Sequence, residues 1–471
     1  MKILLVRPKP HKESIGLHSF MICEPLELEY VCAYMESYGH NVIIADMILE
    51  NKPLTYFLDE YKPDIVGFTS YITHVGVVKQ YAREVKHADK DCVTIVGGVH
   101  AEVVPQDFED KDIDYIIKVN GLKTFKGIVD NFKKSKEINR AEIEGVWMDD
   151  TKEYKIDTEF KYPHPNREST RRYRNRYNYI YHSKCATLKT SFGCPYRCEF
   201  CFCIKVTQNR YFLRDLHDVI SELKCIKEKN IFIVDDNFLL DKERVQEFCR
   251  LLVENDIRKN YILFGRADFI AANEEVIEQF SRRGLQAVFV GIESFKANEL
   301  EIYGKKTTVE MNIQAIKILE KYGVQCYSGI IVGQDWEKKD FDSLIRWLNS
   351  FKLPAAVNIQ PITPMPGTGI YERWESKLII PREEYQLWDM AHVTLQPEKM
   401  SVRKYYYNLM RAYYKSSARF GAHIFIIKKY GLIAYLRVLI GAIHISLQYI
   451  KLIVSFGSLW NFGNSEQNMN R

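Results

Sequence analysis

The feature that most constrains the fold is a regular alternation of short apolar strands with charged helices in the second half of the chain. Helices rich in Lys and Glu separate six predicted strands, a rhythm typical of a parallel sheet covered by helices. Six strands are too few for a closed eight-stranded barrel, so we expect a partial (βα)6 barrel that opens at the carboxyl ends of its strands. The strands are predicted at residues 188–190, 231–234, 261–265, 287–291, 325–332 and 356–360.

The N-terminal part of the chain shows the same alternation. Gly67 and the pair Gly97-Gly98 fall at strand ends, where doubly wound sheets bind ligands in the crevice beyond the strand carboxyl termini. We therefore predict a doubly wound, Rossmann-like domain with a nucleotide-like ligand at that crevice. Its strands are predicted at residues 3–6, 41–45, 65–70 and 93–96, and its helices near residues 26–38 and 75–87.

The whole chain is predicted to be an α/β protein in four parts. These are a doubly wound domain at 1–145, a linker at 146–184, the partial barrel at 185–398 and a basic, aromatic, mainly helical region at 399–471. A hydrophobic content of 46% and a charged content of 27% are ordinary for soluble globular proteins. Because Met1 runs directly into an apolar strand, with no signal peptide, we expect a cytoplasmic protein.

A run of cysteines follows the first predicted barrel strand. Cys194, Cys198 and Cys201 form the pattern C-x3-C-x2-C, and Gly193 and Pro195 shape a tight loop around it. A [4Fe-4S] cluster normally takes one thiolate on each iron, so three thiolates leave one iron open for a small molecule. The alternative, in a chain with 11 cysteines, is a chance spacing of buried cysteines that only fill space.

The cysteine run resembles the signature of the radical S-adenosylmethionine (SAM) superfamily, in which an aromatic residue, here Phe200, precedes the third cysteine. Cys203 lies outside the pattern. Residues 185–370 resemble the radical SAM core, and residues 1–130 resemble the cobalamin-binding domain that precedes it in one large subfamily. The chain is most similar to the hopanoid C-3 methylase group and more distantly similar to the anaerobic magnesium-protoporphyrin IX monomethyl ester cyclase group. The similar runs are 232–236, 284–286, 289–293 and 335–337.

This resemblance implies three cofactors: a [4Fe-4S] cluster on the three cysteines, SAM on its open iron, and cobalamin. SAM would yield a 5'-deoxyadenosyl radical that attacks unactivated carbon, while the protein positions and shields the cofactors. By resemblance, Phe200 lies near the adenine of SAM, and the guanidinium of Arg266 makes a bidentate contact with the SAM carboxylate. Glu293 and Ser294 end the fourth strand, where the family binds the ribose. Asp235 is expected to point to the barrel mouth, although a single carboxylate there is also typical of a surface cap or salt bridge.

The resemblance assigns the cobalamin site to two loops of the first domain. Thr69 and Ser70 follow one strand, and Gly97 and Gly98 follow the next, where glycines let the nucleotide tail approach the backbone. His100 either contacts the corrin edge or is a hydrogen-bonded structural residue. The D-x-H-x-x-G motif is absent, so we expect cobalt without a lower histidine ligand. Where relatives show a Gly-Glu-Gly-Glu stretch, this chain reads V-N-G-L-K-T and has neither acid.

These features predict a cobalamin-dependent radical SAM enzyme that methylates an unactivated carbon of an apolar substrate, such as a hopanoid or another isoprenoid lipid. A reductase, a flavodoxin or a ferredoxin would supply its electrons, and no side chain is assigned as a catalytic acid, base or nucleophile. Two alternatives stay open. One is cyclisation, carbon–carbon coupling or oxidation without methyl transfer, and the other is a non-catalytic corrinoid or iron–sulfur sensor.

The connector at residues 161–184 interleaves Arg with Tyr, a composition that can stack on and neutralise RNA. Methylthiolation of RNA would call for a second cysteine trio in the first domain, and Cys23, Cys32 and Cys92 are too dispersed for one. We therefore favour a solvated or domain-bridging strip and expect no nucleic-acid partner.

The C-terminal region differs in charge from the rest of the chain. Residues 399–465 contain ten Lys or Arg and no Asp or Glu, and Arg437, His444 and Lys451 interrupt an apolar stretch at 432–456. Because internal cations argue against a transmembrane span, we expect an interfacial helix or a substrate-covering lid, or alternatively a helix packed on the barrel. An interfacial helix would allow peripheral contact with the inner face of the membrane.

Overall fold

The computed structural model describes residues 1–17, 20–135, 140–351, 357–417 and 420–466. Its strands are β1 Lys2–Arg7, β2 Met21–Ile22, β3 Asn41–Asp46, β4 Ile65–Thr69, β5 Val93–Gly97, β6 Tyr115–Ile116, β7 Asn178–Tyr179, β8 His182–Ser183, β9 Cys185–Leu188, β10 Ser191–Phe192, β11 Phe212–Leu213, β12 Asn230–Ile233, β13 Asn260–Gly265, β14 Leu285–Glu293, β15 Gln325–Val332 and β16 Val357–Pro361. Its helices are α1 Leu26–Glu36, α2 Leu54–Tyr61, α3 Val75–Ala88, α4 Val99–Val103, α5 Gly121–Ser135, α6 Cys203–Val206, α7 Leu216–Cys225, α8 Lys242–Glu254, α9 Ala267–Ala272, α10 Glu274–Ser281, α11 Ala297–Ile302, α12 Val309–Lys321, α13 Lys338–Asn349, α14 Gly369–Trp374, α15 Val402–Ser417, α16 Phe420–Tyr430 and α17 Leu432–Glu466.

The N-terminal sheet is parallel throughout, with strand order β3-β1-β4-β5-β6. Its strands are almost continuously apolar because helices cover both faces, and residues 3–6 of β1 are at most 1% exposed. The chain changes direction across the sheet between β1 and β4, so the crevice beyond the carboxyl ends of these strands is the usual ligand position of a doubly wound fold. The predicted doubly wound domain is confirmed.

The second sheet is also parallel, with order β16-β15-β14-β13-β12-β9. Its outer face and the surrounding helices bury the largest apolar cluster of the protein, which includes Leu188, Phe280 and Leu319 at 0% exposure. Its inner face carries a separate cluster that contains Phe232 and Tyr327. This arrangement is the expected partial (βα)6 barrel.

The first barrel strand lies earlier in the chain than the sequence predicts. The prediction was residues 188–190, but β9 ends at Leu188 because the backbone and hydroxyl of Thr190 donate to Asp235 instead of continuing the ladder. The last predicted strand, 356–360, corresponds to β16, and its first residue lies outside the described residues.

The connector between the sheets is a buried ionic strip built on a 3-10 helix, Arg167–Arg176. The Arg167 guanidinium lies 3.0 Å from Glu24, before α1, and 2.6 Å from Glu222 on α7. Glu29 of α1 lies 3.3 Å from the same group. Strands β7 and β8 continue the connector as an antiparallel sheet with β2. Arg167 therefore ties the N-terminal domain to the barrel, which is the bridging role that the sequence analysis favours over RNA binding.

The C-terminal helices cover the barrel's last strand. The Tyr413 hydroxyl of α15 accepts a hydrogen bond at 3.0 Å from the N–H of Ile359 in β16, and α17 packs along α15. Within the described residues one stretch, Leu432–Ser455 of α17, is long and apolar enough to cross a membrane by length and composition alone, with a mean hydropathy of 1.7. It also packs on the protein, because Ala434 and Tyr449 are buried.

Replacing Arg167 with Ala should destabilise the protein strongly, because the change removes the one cation that contacts all three buried carboxylates, Glu24, Glu29 and Glu222. Arg174 would then remain beside Glu24 and Glu29, and Arg214 beside Glu222. We expect the free energy of unfolding to fall by about 3–5 kcal/mol, seen as a lower urea midpoint. Arg171→Ala is the matched control in the same 3-10 helix, since its side chain is 83% exposed. That control should change the free energy by less than about 0.5 kcal/mol. Equal midpoints for the two variants would contradict a buried ionic strip.

Candidate functional site

The cysteine run lies in the loop between the paired strands β10 and β11. Cys198 is buried, Cys194 and Cys201 are half-buried, and all three thiols are free. Burial raises the pKa of Cys194, and the nearby Cys201 and Cys198 thiols raise it further. The three sulfur atoms therefore occupy one region at the carboxyl end of the barrel strands.

The loop depends on Gly193 at its start. This residue has a φ of +79°, and a β-carbon there would lie 2.1 Å from the carbonyl oxygen of Arg210 and 2.8 Å from the hydroxyl of Thr207. Its N–H donates to Asp236 at 2.9 Å. Only glycine combines this left-handed backbone with so close an approach.

Asp235 follows β12 at the carboxyl end of the barrel strands, where it lies beneath the cysteine loop. It is 0% exposed, and its carboxylate accepts from the Thr190 N–H at 2.6 Å, the Thr190 hydroxyl at 2.5 Å and the Ser191 hydroxyl at 2.7 Å. This position differs from the expected cofactor-facing one, because three donors of the preceding segment already saturate the carboxylate. Asp235 therefore orients the strand that enters the cysteine loop.

Asp236 holds the other side of the same loop. Besides the Gly193 N–H, it accepts from the thiol of Cys203 at 3.4 Å and lies 3.4 Å from the Lys189 ammonium. Cys203, which the sequence pattern leaves out, begins α6. Its thiol binds Asp236 beside the cysteine loop, so Cys203 helps to hold the loop although the pattern does not include it.

Arg266 follows β13 and is held by the protein itself. Its guanidinium pairs with Asp268 at 3.0 Å, donates to the carbonyl oxygen of Lys305 at 2.7 Å and stacks 3.5 Å from the ring centre of Tyr196. Tyr196 lies between Cys194 and Cys198 in sequence, so Arg266 packs directly on the cysteine loop. The sequence predicts Arg266 at this strand end but not its partners Asp268 and Tyr196.

Glu293 ends β14 with a φ of +58°, a left-handed conformation that costs energy in a residue with a side chain. The ammonium of Lys305, which is 6% exposed, lies 2.8 Å from its carboxylate and 6.0 Å from the ring centre of Phe200. The hydroxyl of Ser294 donates to Glu299, so an internal partner occupies this predicted ribose ligand. Sequence reasoning missed Lys305, for which the only signal was a basic pair after Gly304.

The donor set fits a cluster better than a single ion. Among the described residues, no group of three or more His, Cys, Asp or Glu side chains could hold one metal ion. A [4Fe-4S] cluster does not need three side chains around one ion, because each thiolate binds a different iron. Three free thiols on one loop, with the cations Arg266 and Lys305 beside Cys198, meet that requirement.

Backbone atoms line the crevice of the N-terminal sheet. Gly98 has a φ of +96°, and a β-carbon there would lie 2.6 Å from the backbone nitrogen of Ser70. The Ser70 hydroxyl donates to the carbonyl oxygen of Gly97 at 2.8 Å, and the Thr69 hydroxyl donates to Glu27 at 3.1 Å. Gly97 and Gly98 stay half-exposed. Glycine at position 98 therefore lets the two crevice loops pack together, and the half-exposed main chain of this glycine pair is accessible to a ligand such as the nucleotide tail of cobalamin.

His100 has the structural role that the sequence analysis kept as an alternative. It is 6% exposed, and its Nε2 lies 2.8 Å from the carboxylate of Asp107. Arg382, which follows the barrel, donates to the other oxygen of Asp107 at 2.8 Å. His100 therefore helps to join the crevice loop to the segment after the barrel.

The crevice and the cysteine loop face each other. Helix α4, which follows Gly98, packs against α6, which follows the cysteines. Tyr71 comes directly after Ser70 and keeps 52% of its surface exposed. A ligand in the crevice would thus lie next to a group bound by the cysteines.

The inner face of the barrel is apolar where it approaches this junction. Val234, Phe264 and Phe289 are half-buried there and pack with Phe232. The ring centres of Phe232 and Phe264 lie 5.3 Å apart, and those of Phe264 and Phe289 lie 5.2 Å apart. This surface suits a hydrocarbon better than a polar molecule.

Comparison with protein families gives two matches. The model of the B12 binding domain matches residues 14–129, and that of the radical SAM superfamily matches residues 188–348. These ranges correspond to the N-terminal sheet with its crevice and to the barrel with its cysteine loop.

Three similar proteins match over most of this chain. A hopanoid C-3 methylase of Methylococcus capsulatus is 28% identical over 87% of this chain and 79% of its own length. An anaerobic magnesium-protoporphyrin IX monomethyl ester cyclase of Rubrivivax gelatinosus is 22% identical over 85% of this chain and 74% of its own length. The radical SAM methyltransferase TsrM of Kitasatospora setae, solved with cobalamin and a [4Fe-4S] cluster, shares the fold with a TM-score of 0.66, at 16% identity over 87% of this chain and 90% of that one.

Replacing Asp235 with Asn should weaken the cysteine loop without removing a ligand, because the new amide donor would face the N–H and hydroxyl donors of Thr190. Leaving such donors unsatisfied costs about 1–3 kcal/mol, so we expect the variant to retain less than about half of the wild-type iron after anaerobic reconstitution. Iron and sulfide per chain measure the effect. Asp241→Asn is the control, since Asp241 only caps α8 and Asn caps equally well. Full iron content in Asp235→Asn would contradict the positioning role.

Proposed function

Because the chain joins a B12-binding domain to a radical SAM domain, and so belongs to the radical SAM superfamily, we propose that it methylates an unactivated carbon of an apolar substrate in a cobalamin-dependent reaction. The observation that carries this proposal is the junction of the two domains. Helix α4, which follows the crevice glycines, packs against α6, which follows the cysteines, and an apolar barrel wall lies beside this junction. A hopanoid or another isoprenoid lipid is the proposed substrate class, supported by the hopanoid methylase among the relatives.

Each cofactor has a proposed set of holding residues. Cys194, Cys198 and Cys201 would bind the [4Fe-4S] cluster, and when bound the cofactors supply a carbon-centred radical and a methyl donor. Asp235 and Asp236 keep the cysteine loop in place from below. The remaining proposed contacts are Phe200, Arg266 and Glu293 for SAM, and Thr69, Ser70, Gly97 and Gly98 for cobalamin.

Charge and shape of the site support this assignment. The buried cations Arg266 and Lys305 would favour the thiolate forms of the cysteines and the carboxylate of SAM. Phe264 and Phe289 would exclude water from the reacting carbon and orient a hydrocarbon skeleton. Under this proposal the protein works in the cytoplasm and receives electrons from a reductase, a flavodoxin or a ferredoxin.

The reaction type can be tested with SAM that carries a deuterated methyl group. Anaerobically reconstituted enzyme with cobalamin, a strong reductant and a hopanoid should form deoxyadenosine and a product heavier by one labelled methyl group. Mass spectrometry measures both. Deoxyadenosine with an altered but unlabelled product would instead support cyclisation or oxidation, as the cyclase relative would suggest. No deoxyadenosine would support a sensor and contradict the proposal.

The ligand assignment can be tested independently of turnover. Cys201→Ala should lose the visible absorption of the cluster and most of its iron while it retains bound corrinoid, because the crevice of the first domain does not involve this residue. Cys225→Ala is the control, since Cys225 is exposed on α7. Absorption spectra and metal analysis of anaerobic samples give the result. A full cluster in Cys201→Ala would refute the assignment, and loss of both cofactors would indicate a folding defect, which a melting curve would reveal.

A further inference from the structure

Helix α17 is mostly apolar, although only one side packs on the protein. Ala434, Gly441 and Tyr449 face the protein and are buried. In the most apolar window of the helix, however, only 11% of the residues are buried. Most of its apolar surface is therefore uncovered, which indicates that a partner covers the outer side.

The outer face is a continuous apolar stripe. Its side chains include Ile440 at 65% exposure, Leu447 at 60% and Val454 at 64%. Leu436, Ile443 and Ile450 fill the intervening turns, so the spacing alternates between four and three residues and keeps one side of the helix apolar over five turns. A contiguous exposed patch of this kind marks an interaction site.

The charge around the stripe indicates the chemistry of the partner. Residues 399–465 contain ten Lys or Arg and no Asp or Glu. Lys428 and Lys451 are exposed on the helices that carry or flank the stripe. A second copy of the chain would bring the same cations against each other with no acidic group to pair them. An anionic lipid surface would attract them.

We propose that the outer face of α17 docks the protein on the surface of an anionic lipid bilayer, with the helix lying in the interface. Arg437 donates to Asn178 at 3.0 Å, to Ser183 at 3.0 Å and to the carbonyl oxygen of Ile180 at 2.8 Å. These bonds hold the helix against the base of the barrel, which favours a helix that lies in the interface over one that crosses the membrane. Its apolar side would sink into the acyl region while the cations contact headgroups.

Docking would also bring the lipid phase close to the barrel interior. Val438, on the inner side of α17, packs against the inner-face cluster that contains Phe232 and Tyr327. The helix that contacts the bilayer thus also packs on the apolar inner face of the barrel. This placement suits an enzyme whose substrate dissolves in membranes, but the docking surface does not depend on the proposed chemistry.

Flotation of the full-length protein with lipid vesicles tests whether the outer face of α17 binds an anionic bilayer. Wild type should float with vesicles of equal parts phosphatidylcholine and phosphatidylglycerol, and its partition coefficient should fall at least about tenfold with phosphatidylcholine alone. Ile440→Glu should lower the coefficient with the mixed vesicles at least about tenfold, because it puts a charge on the apolar face. Val253→Glu is the matched control, since Val253 is a 49% exposed apolar residue on α8. It should float like wild type.

Leu447→Gln, a milder change on the same face, must weaken flotation in the same direction, which guards against a folding defect in Ile440→Glu. Wild-type flotation of both stripe variants would overturn the proposal. The proposal would also be overturned if the wild-type protein forms a dimer without lipid and fails to float, since a second copy would then cover the stripe. A protein that cleaves SAM but does not float refutes only the docking surface, and one that floats but cleaves no SAM refutes only the proposed reaction.

Discussion

The two carboxylates at the end of β12 hold the cysteine loop, and the arrangement of the site depends on them. Asp235 binds the segment that enters the loop through three short hydrogen bonds, and Asp236 binds the first residue of the turn. Both acids come from the strand next to β9, so the sheet itself sets the position of the three thiols. A cofactor with an open coordination site needs such support, because its remaining ligands must hold it rigidly.

A second constraint is the ionic strip that joins the domains. Arg167 contacts Glu24 and Glu29 of the first domain and Glu222 of α7, while Arg174 and Arg214 pair with the same carboxylates. Burial raises the pKa of Glu29 to about 7, although the charge of Arg167 opposes this shift. The strip holds the crevice of the first domain opposite the barrel mouth. Without a fixed distance between the two cofactor positions, the domains could not act on one substrate.

Some of the site could be predicted because its signals are local. The C-x3-C-x2-C run, the glycine pair at 97 and 98 and the alternation of strands and helices all lie within a few residues, where backbone geometry alone limits the outcome. The roles of Asp235 and Ser294 could not be predicted in the same way. Each was expected to face a cofactor because it ends a barrel strand, but Asp235 binds the cysteine loop and Ser294 binds Glu299.

What the sequence determined by itself is therefore the pair of parallel sheets, the cysteine loop after the first barrel strand and the basic, acid-free C-terminal region. Only the tertiary structure decided which charged groups pair, that Lys305 is buried beside Glu293, and that α17 presents an unpaired apolar face. Periodicity and turn chemistry depend on neighbours a few positions away, so they can be predicted from the sequence. Charge pairing depends on segments such as Arg167 and Glu29, 138 residues apart, that meet only after folding.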